Sequence, residues 1–165
     1  MNRKFLFTCL AAGASAFFTA SAYQADSEQV RPTHAPNKHV KIHAVGCEIG
    51  AVPECQTVTV RVWDGDTFLI HPDGSKPLKP LKIRIENIDA PEIDGKCAAE
   101  IKAAQTAKHR LAALLENREV RIIPDGIDRY HRQLASVLVD GKDVGEIMIA
   151  EATVRRWDGR RRSWC

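Results

Sequence analysis

Residues 58–70, VTVRVWDGDTFLI, place two runs of apolar side chains on either side of an Asp-Gly pair. Val58, Val60 and Val62 alternate with Thr59, Arg61 and Trp63, the period of two that a half-buried strand requires. Asp64 and Gly65 are turn residues, and TFLI at 67–70 begins a second strand. HPDGSKP at 71–77 breaks the chain again. Beyond it Leu81, Ile83 and Ile85 alternate with Lys82, Arg84 and Glu86. Arg84 therefore faces away from the core on a third strand.

Further along the period lengthens. Between Cys97 and Glu116, Ile101, Ala104, Leu111, Leu114 and Leu115 share one helical face in an alanine-rich setting. EVRIIP at 119–124 and QLASVLVD at 133–140 return to strand; the second is apolar on both sides and so central. Asp143 with Glu146 three residues on makes a capping box for a short helix packing Val144, Ile147 and Met148, against which Gly145 counts. Three strands, a helix, two strands and a helix predict a mostly β, α+β domain. The expected form is a five-stranded Greek-key barrel of the OB type, with a helix after strand 3 and a short C-terminal helix.

The ends of the chain carry different information. The 165 residues have room for one domain. A basic MNRK, an uncharged run from Phe5 to Phe18 and the small residues ASA at 20–22 read as a signal peptide cut after Ala22. That run is shorter than the roughly 18 residues of a spanning helix. The expectation is a secreted or periplasmic chain with no membrane association after cleavage. Loss of Arg3 and Lys4 lowers the formal charge from +3 to +1, so attraction for a polyanion must come from local clustering. Residues 23–45, with two prolines and few large apolar groups, read as a flexible polar tether whose His34, His39 and His43 are solvated. The domain proper is expected over 46–165 and ends in an Arg-rich tail, RRWDGRRRSWC.

Cys47, Cys55, Cys97 and Cys165 form an even set in an exported chain, which reads as two disulfides. Three pairings are open to them; the expected one joins Cys47 to Cys55 and Cys97 to Cys165. The spacings do not suit zinc.

DGDT at 64–67 and DAPE at 89–92 are each ordinary turn material. Together they set Asp66, Asp89 and Glu92 at two strand ends, with Pro91 fixing the second turn. Acids gathered there repel unless a cation or arginines stand between them. DRYHRQL at 128–134 brings Arg129, Tyr130 and Arg132 to the start of the central strand. In that order DGDT, IRIENIDAPE (83–92) and DRYHRQLASVLVDGKDVGE (128–146) resemble the staphylococcal-nuclease (thermonuclease) family, over about residues 58–152.

The resemblance implies a calcium ion held by the carboxylates of Asp66 and Asp89 and the main-chain carbonyl of Ala90, where the family often has threonine. It implies Glu92 as general base or water-orienting carboxylate, Arg84 and Arg132 as the pair gripping the scissile phosphate, and Arg129 and Tyr130 as contacts to a terminal phosphate. The implied protein is a calcium-dependent nuclease of low sequence specificity acting on DNA or RNA; with the signal peptide the expectation is an exported one, a monomer by default, with single-stranded DNA or RNA as its partner. All the proposed donors are oxygens, which favours calcium over zinc. The competing classes are a non-catalytic nucleic-acid-binding barrel and a secreted module for oligosaccharide or protein. Past Ala152 the likeness fades. There Trp157 and Trp164 offer aromatic faces for bases, or a cover for the barrel.

Overall fold

The computed structural model describes residues 39–45, 57–71 and 79–165, all within the compact unit His34–Cys165. The expected signal peptide, residues 23–38 of the expected tether with His34, and the expected Cys47–Cys55 pair lie outside the described residues.

Strands β1 (His39–Val45), β2 (Thr57–Val62), β3 (Thr67–His71) and β4 (Leu81–Ile85) form an antiparallel meander. Next come β5 (Ile88–Asp89), helix α1 (Ala98–Leu115), β6 (Glu119–Ile127), β7 (Gln133–Val139), β8 (Lys142–Asp143), α2 (Val144–Ala150) and β9 (Arg155–Arg156). β6 pairs parallel with β1 and antiparallel with β7, and β7 pairs parallel with β4. That last pairing closes a barrel, and closure removes the unpaired strand edges that an open sheet would expose. Inside it Ile42, Val60, Phe68, Ile70, Ile83, Ile122 and Val137 are wholly buried.

The OB-like α+β architecture is the expected one, but the barrel has six strands, and the helix follows the fourth of them. The added strand is β1, so residues 39–45 are not tether. Val40, Ile42 and Ala44 point inward and are at most 3% exposed, while His39, Lys41 and His43 face solvent. Only three small or medium apolar residues carry the alternation, and the surrounding basic residues mask it. His39 and His43 thus sit on a barrel strand, not on a mobile arm, and the His43 ring lies 2.9 Å from the Thr57 hydroxyl.

The central place expected for β7 holds, with β6 on one edge and β4 and β8 on the other. Helix α1 buries Ala104, Ala107, Leu111, Ala112 and Leu115; Ile101 and Leu114 lie at the margin of that face. Its small residues allow close approach. A Cβ on Gly65 would lie 2.6 Å from Cβ of Ala107 and 3.0 Å from Cβ of Ala90. Glycine there lets the β2–β3 turn lie against the helix. Asp143 caps α2 through the backbone N–H of Glu146 at 2.8 Å, one half of the expected capping box, while the Glu146 carboxylate pairs with Arg156 at 2.7 Å. Gly145, unfavourable for helix, is buried against Ile88 and Ile85, where a Cβ would come within 3.1 Å of the former. Close packing of α2 on the sheet outweighs its propensity cost. Among the described residues no helix is long and apolar enough to cross a membrane.

Candidate active site

The β2–β3 turn and the segment after β4 meet at one end of the barrel because of strand register. Thr67 is paired with Arg84, so Asp66, one residue before β3, lies beside the Arg84 side chain. Trp63 and Asp64 both donate backbone N–H groups to the Thr67 carbonyl, and the Asp66 N–H donates to the Asp64 carboxylate at 3.0 Å. The turn is thereby closed with the Asp66 side chain turned in. Asp66 accepts from the Thr67 hydroxyl at 2.8 Å on one oxygen. Its other oxygen accepts from the Ala90 N–H at 3.2 Å and lies 3.1 Å from the Arg84 guanidinium. Arg84 also donates to the carbonyls of Ile85 and Ile88, the latter at 2.8 Å.

Asn87 adopts a left-handed φ of 60°, a conformation asparagine tolerates, and so turns the chain from β4 into β5. Asp89 follows, 5% exposed, and accepts from the Trp164 indole N–H at 3.1 Å. The Ala90 carbonyl accepts from Arg161 at 3.0 Å, and the same guanidinium pairs with Glu92, which is exposed. Glu100, buried in the first turn of α1, accepts from the N–H groups of Lys96 at 2.9 Å and Glu92 at 3.4 Å and so ties down the loop between them.

Arg132 approaches from the far side. Its backbone N–H and Nε donate to the Asp128 carboxylate at 2.9 and 2.7 Å, and its terminal nitrogen reaches the Thr67 hydroxyl at 3.4 Å. Tyr130 is exposed, with the guanidinium groups of Arg129 and Arg132 at 4.8 and 5.4 Å from its ring. Asp66, Arg84, Ala90 and Glu92 are thus joined by direct or single-residue contacts, with Asp89 alongside and Arg132 at the edge. Arg129 and Tyr130 connect to the cluster only through Arg132. Cys97 and Cys165 are bonded, with Cα atoms 6.1 Å apart, which fixes the tail bearing Arg161 and Trp164 beside the site.

The donor set suits a hard divalent cation. Two buried carboxylates and a backbone carbonyl present oxygen only, and the Arg161 cation already sits on that carbonyl and on Glu92. Among the described residues no three Asp, Glu, His or Cys side chains are grouped to hold an ion by themselves. An ion here would need the Ala90 carbonyl and water to complete its shell. Asp64 adds a carboxyl but little charge at neutral pH: burial foremost, then the negative charge of Asp66, pushes its pKa up to about 8.

Two contributors escaped the reading of the sequence: Asp128, which aims Arg132, and Glu100, which holds the Glu92 loop. Asp128 had a local signal, since aspartate at the head of DRYHR is an Asx-turn residue. Arg161 and Trp164 are brought to the site by the Cys97–Cys165 bond, the pairing expected from the sequence, but no local pattern in the tail marks which of its side chains reach Glu92 and Asp89.

An OB-like barrel with clustered acids and guanidinium groups at one mouth defines the class. Residues 82–160 match the family described as staphylococcal nuclease homologue, and the match supports a staphylococcal-nuclease-like family for this chain. A Haemophilus influenzae protein described as an uncharacterized endonuclease is 34% identical over 92 residues, covering 56% of this chain and 47% of the relative. The chain thus spans about half the length of that relative.

Proposed function

We propose that the protein is an exported, calcium-dependent nuclease that hydrolyses phosphodiester bonds of single-stranded DNA or RNA with low sequence specificity. The observation that carries the reading is the meeting of Asp66, Arg84, Asp89, Ala90 and Glu92 at one barrel mouth. The family match and the endonuclease description of the relative point the same way.

Unaided phosphodiester hydrolysis is so slow that an enzyme must lower its barrier by something near 20 kcal/mol. No single side chain supplies that. Asp66, Asp89 and the Ala90 carbonyl are the groups that would hold calcium, which when bound polarises phosphoryl oxygen and lowers the pKa of water. Arg84 and Arg132 bind the remaining phosphoryl oxygens through paired N–H donors, which strengthen as charge builds toward the transition state. Glu92, exposed at the rim, accepts the proton of the attacking water, and Arg161 must leave it for that to happen. Arg129 and Tyr130 meet the strand further out. Export is supported by the N-terminal apolar run and by the Cys97–Cys165 bond, which persists in an oxidising compartment.

The second reading, a non-catalytic nucleic-acid-binding barrel, is favoured by one observation: Arg161 neutralises Glu92. The variant Glu92→Gln separates the two. We expect it to melt like the parent and to lose about 10²- to 10⁴-fold in turnover, the range of a general base. Assay on single-stranded DNA and RNA after chelation, with calcium or magnesium restored separately, tests the ion. Undiminished turnover in the variant, or full activity with chelator present, overturns the corresponding assignment.

A further inference from the structure

Among the described residues no helix or strand follows β9, and residues 157–165 are exposed apart from a half-buried Trp164. This segment is held at its two ends. At one, the Trp157 N–H donates to the Asn87 carbonyl at 2.8 Å. At the other, Cys165 is bonded to Cys97, and the Trp164 indole donates to Asp89 at 3.1 Å with the Arg155 guanidinium 3.8 Å from its ring. Between the two stands Arg161. One of its terminal nitrogens donates to the Ala90 carbonyl at 3.0 Å and lies 3.7 Å from Glu100, and the other pairs with Glu92. Burial works against its charge, but the Glu92, Asp89 and Glu100 carboxylates outweigh it and hold the guanidinium pKa above its usual value. A cation of the chain's own thus rests on oxygens that a divalent ion or its water would use.

The disulfide makes that contact a local one. With the segment fixed at Asn87 and again at Cys97, Arg161 has little room to leave, and its effective concentration at Glu92 is high. Opening the bond removes the second fixed point, and the Arg161 contact must then offset the ordering of the whole segment. The bond is also placed to be opened. Cys165 is exposed, so a thiolate can reach its sulfur. The Cys97 sulfur sits at the N-cap of the 18-residue α1 and accepts the Glu100 N–H at 3.5 Å, a position that stabilises a departing thiolate. The Glu100 carboxylate, 3.7 Å from the Cys165 sulfur, disfavours a thiolate on that side.

We propose that the segment is an autoinhibitory strap. While the Cys97–Cys165 bond is closed, Arg161 stands in the ion's place on Ala90 and Glu92; reduction of the bond by a dithiol releases it and raises the affinity for calcium. In the exchange a reductant thiolate attacks the Cys165 sulfur, and the electron pair of the S–S bond leaves on Cys97, which takes up a proton. The second thiol of the reductant then displaces Cys165, so the protein gains two thiols and the dithiol becomes a cyclic disulfide. The proposal rests on the reading of the cluster as a calcium site, and not on its cleaving nucleic acid.

The test is calorimetric titration of the purified chain with calcium. Cys165→Ser, which leaves the Cys97 cap in place, is expected to bind about fivefold more tightly than the oxidised parent, the lower end of coupling between sites. Arg161→Ala with the bond intact is expected to gain as much. The double variant is expected to gain no more than either, because both changes remove the same competitor. A general loosening of the fold would weaken calcium binding, so the sign of the change separates a strap from a brace. Linkage requires the converse: saturating calcium is expected to raise the equilibrium constant for reduction by dithiothreitol about fivefold in the parent, read by thiol titration, and to leave it unchanged in Arg161→Ala. Affinity in Cys165→Ser at or below the parent's overturns the strap. So does a double variant whose gain is the product of the two single gains, or failure of every form to bind calcium. If the parent cleaves nucleic acid while all the forms bind calcium alike, the strap fails and the nuclease reading stands. If the parent cleaves nothing in either redox state while calcium binding tightens on release, the nuclease reading fails and the strap stands.

Discussion

Asp66 and Arg84 on the barrel side, and Arg161 and Trp164 on the tail side, converge on one cluster but are held there by different forces. The Asp66 and Arg84 side chains are 10% and 15% exposed and are anchored by a backbone N–H and two carbonyls whose places follow from strand register. The Arg161 side chain is 42% exposed, and its segment is held by a two-residue strand pair and one disulfide. One half of the site is therefore a consequence of the barrel, whereas the other depends on a covalent bond. A change that loosens the tail should leave the barrel side standing, and a change to the barrel side should not release the tail.

The double variant Cys97→Ser, Cys165→Ser tests this most severely. The bond spans a separation of 68 residues. On the loop-entropy model its loss destabilises by about 4 kcal/mol. Thermal melting should show that loss, and Trp164 fluorescence should shift toward that of a solvated indole. Response to restored calcium should persist, because Asp66, Asp89 and Ala90 belong to the barrel. An unchanged melting temperature would mean that the tail is held by its other contacts. Arg84→Ala attacks the opposite half. It leaves Asp66 without its cation and two carbonyls without a donor, so a loss of about 2–3 kcal/mol is expected in denaturant titration, less than for a fully buried pair. The Cys97–Cys165 bond should still form, as thiol titration would show.

How far each half was legible in the sequence follows the same division. Strands β2, β3, β4 and β7 and helix α1 declare themselves through alternation or helical period, because burial of one face leaves a periodic trace. Asp66, Arg84, Asp89 and Glu92 are read at their strand ends since a motif fixes them relative to those strands. β1 is hidden because Val40, Ile42 and Ala44 supply too little apolar mass to stand out among basic neighbours. Arg161 and Trp164 are hidden for another reason. The Cys97–Cys165 pairing is legible and tells where the tail ends, but nothing periodic governs the path to it, so the side chains that reach the site are not. Glu100 and Asp128 fall between, since their acceptor roles are local but become visible only when the loops they tie are drawn.

Asp128 gives a smaller effect with a defined pH signature. Burial works to raise its pKa, but the Arg132 backbone N–H, the Arg132 guanidinium and the Tyr130 N–H together pull it below the usual carboxylate range. A depressed folded value means that the stabilisation is fully present above the unfolded pKa of about 3.9 and is lost as pH falls through the folded one. Asp128→Asn should cost about 1 kcal/mol at neutral pH and flatten the acid limb of the stability profile below about pH 4. It should also weaken substrate binding by freeing Arg132. An acid limb as steep as the parent's would show that Asp128 does not supply it.

Arg161→Ala should have the smallest effect on stability and is the most informative about the tail. An ion pair this exposed contributes under about 1 kcal/mol, so the melting temperature should barely move. Its effect should appear elsewhere. In the parent, the guanidinium occupies the Ala90 carbonyl and Glu92, two of the oxygens that a divalent ion or its attendant water would use. Two cations cannot share those oxygens without repulsion, so binding an ion must displace Arg161. Removing the side chain removes that competition, and calorimetric titration should then show calcium bound more tightly than by the parent. Equal affinity in the two chains would mean that Arg161 swings clear at no cost, and that the disulfide-held tail does not set the affinity for the ion.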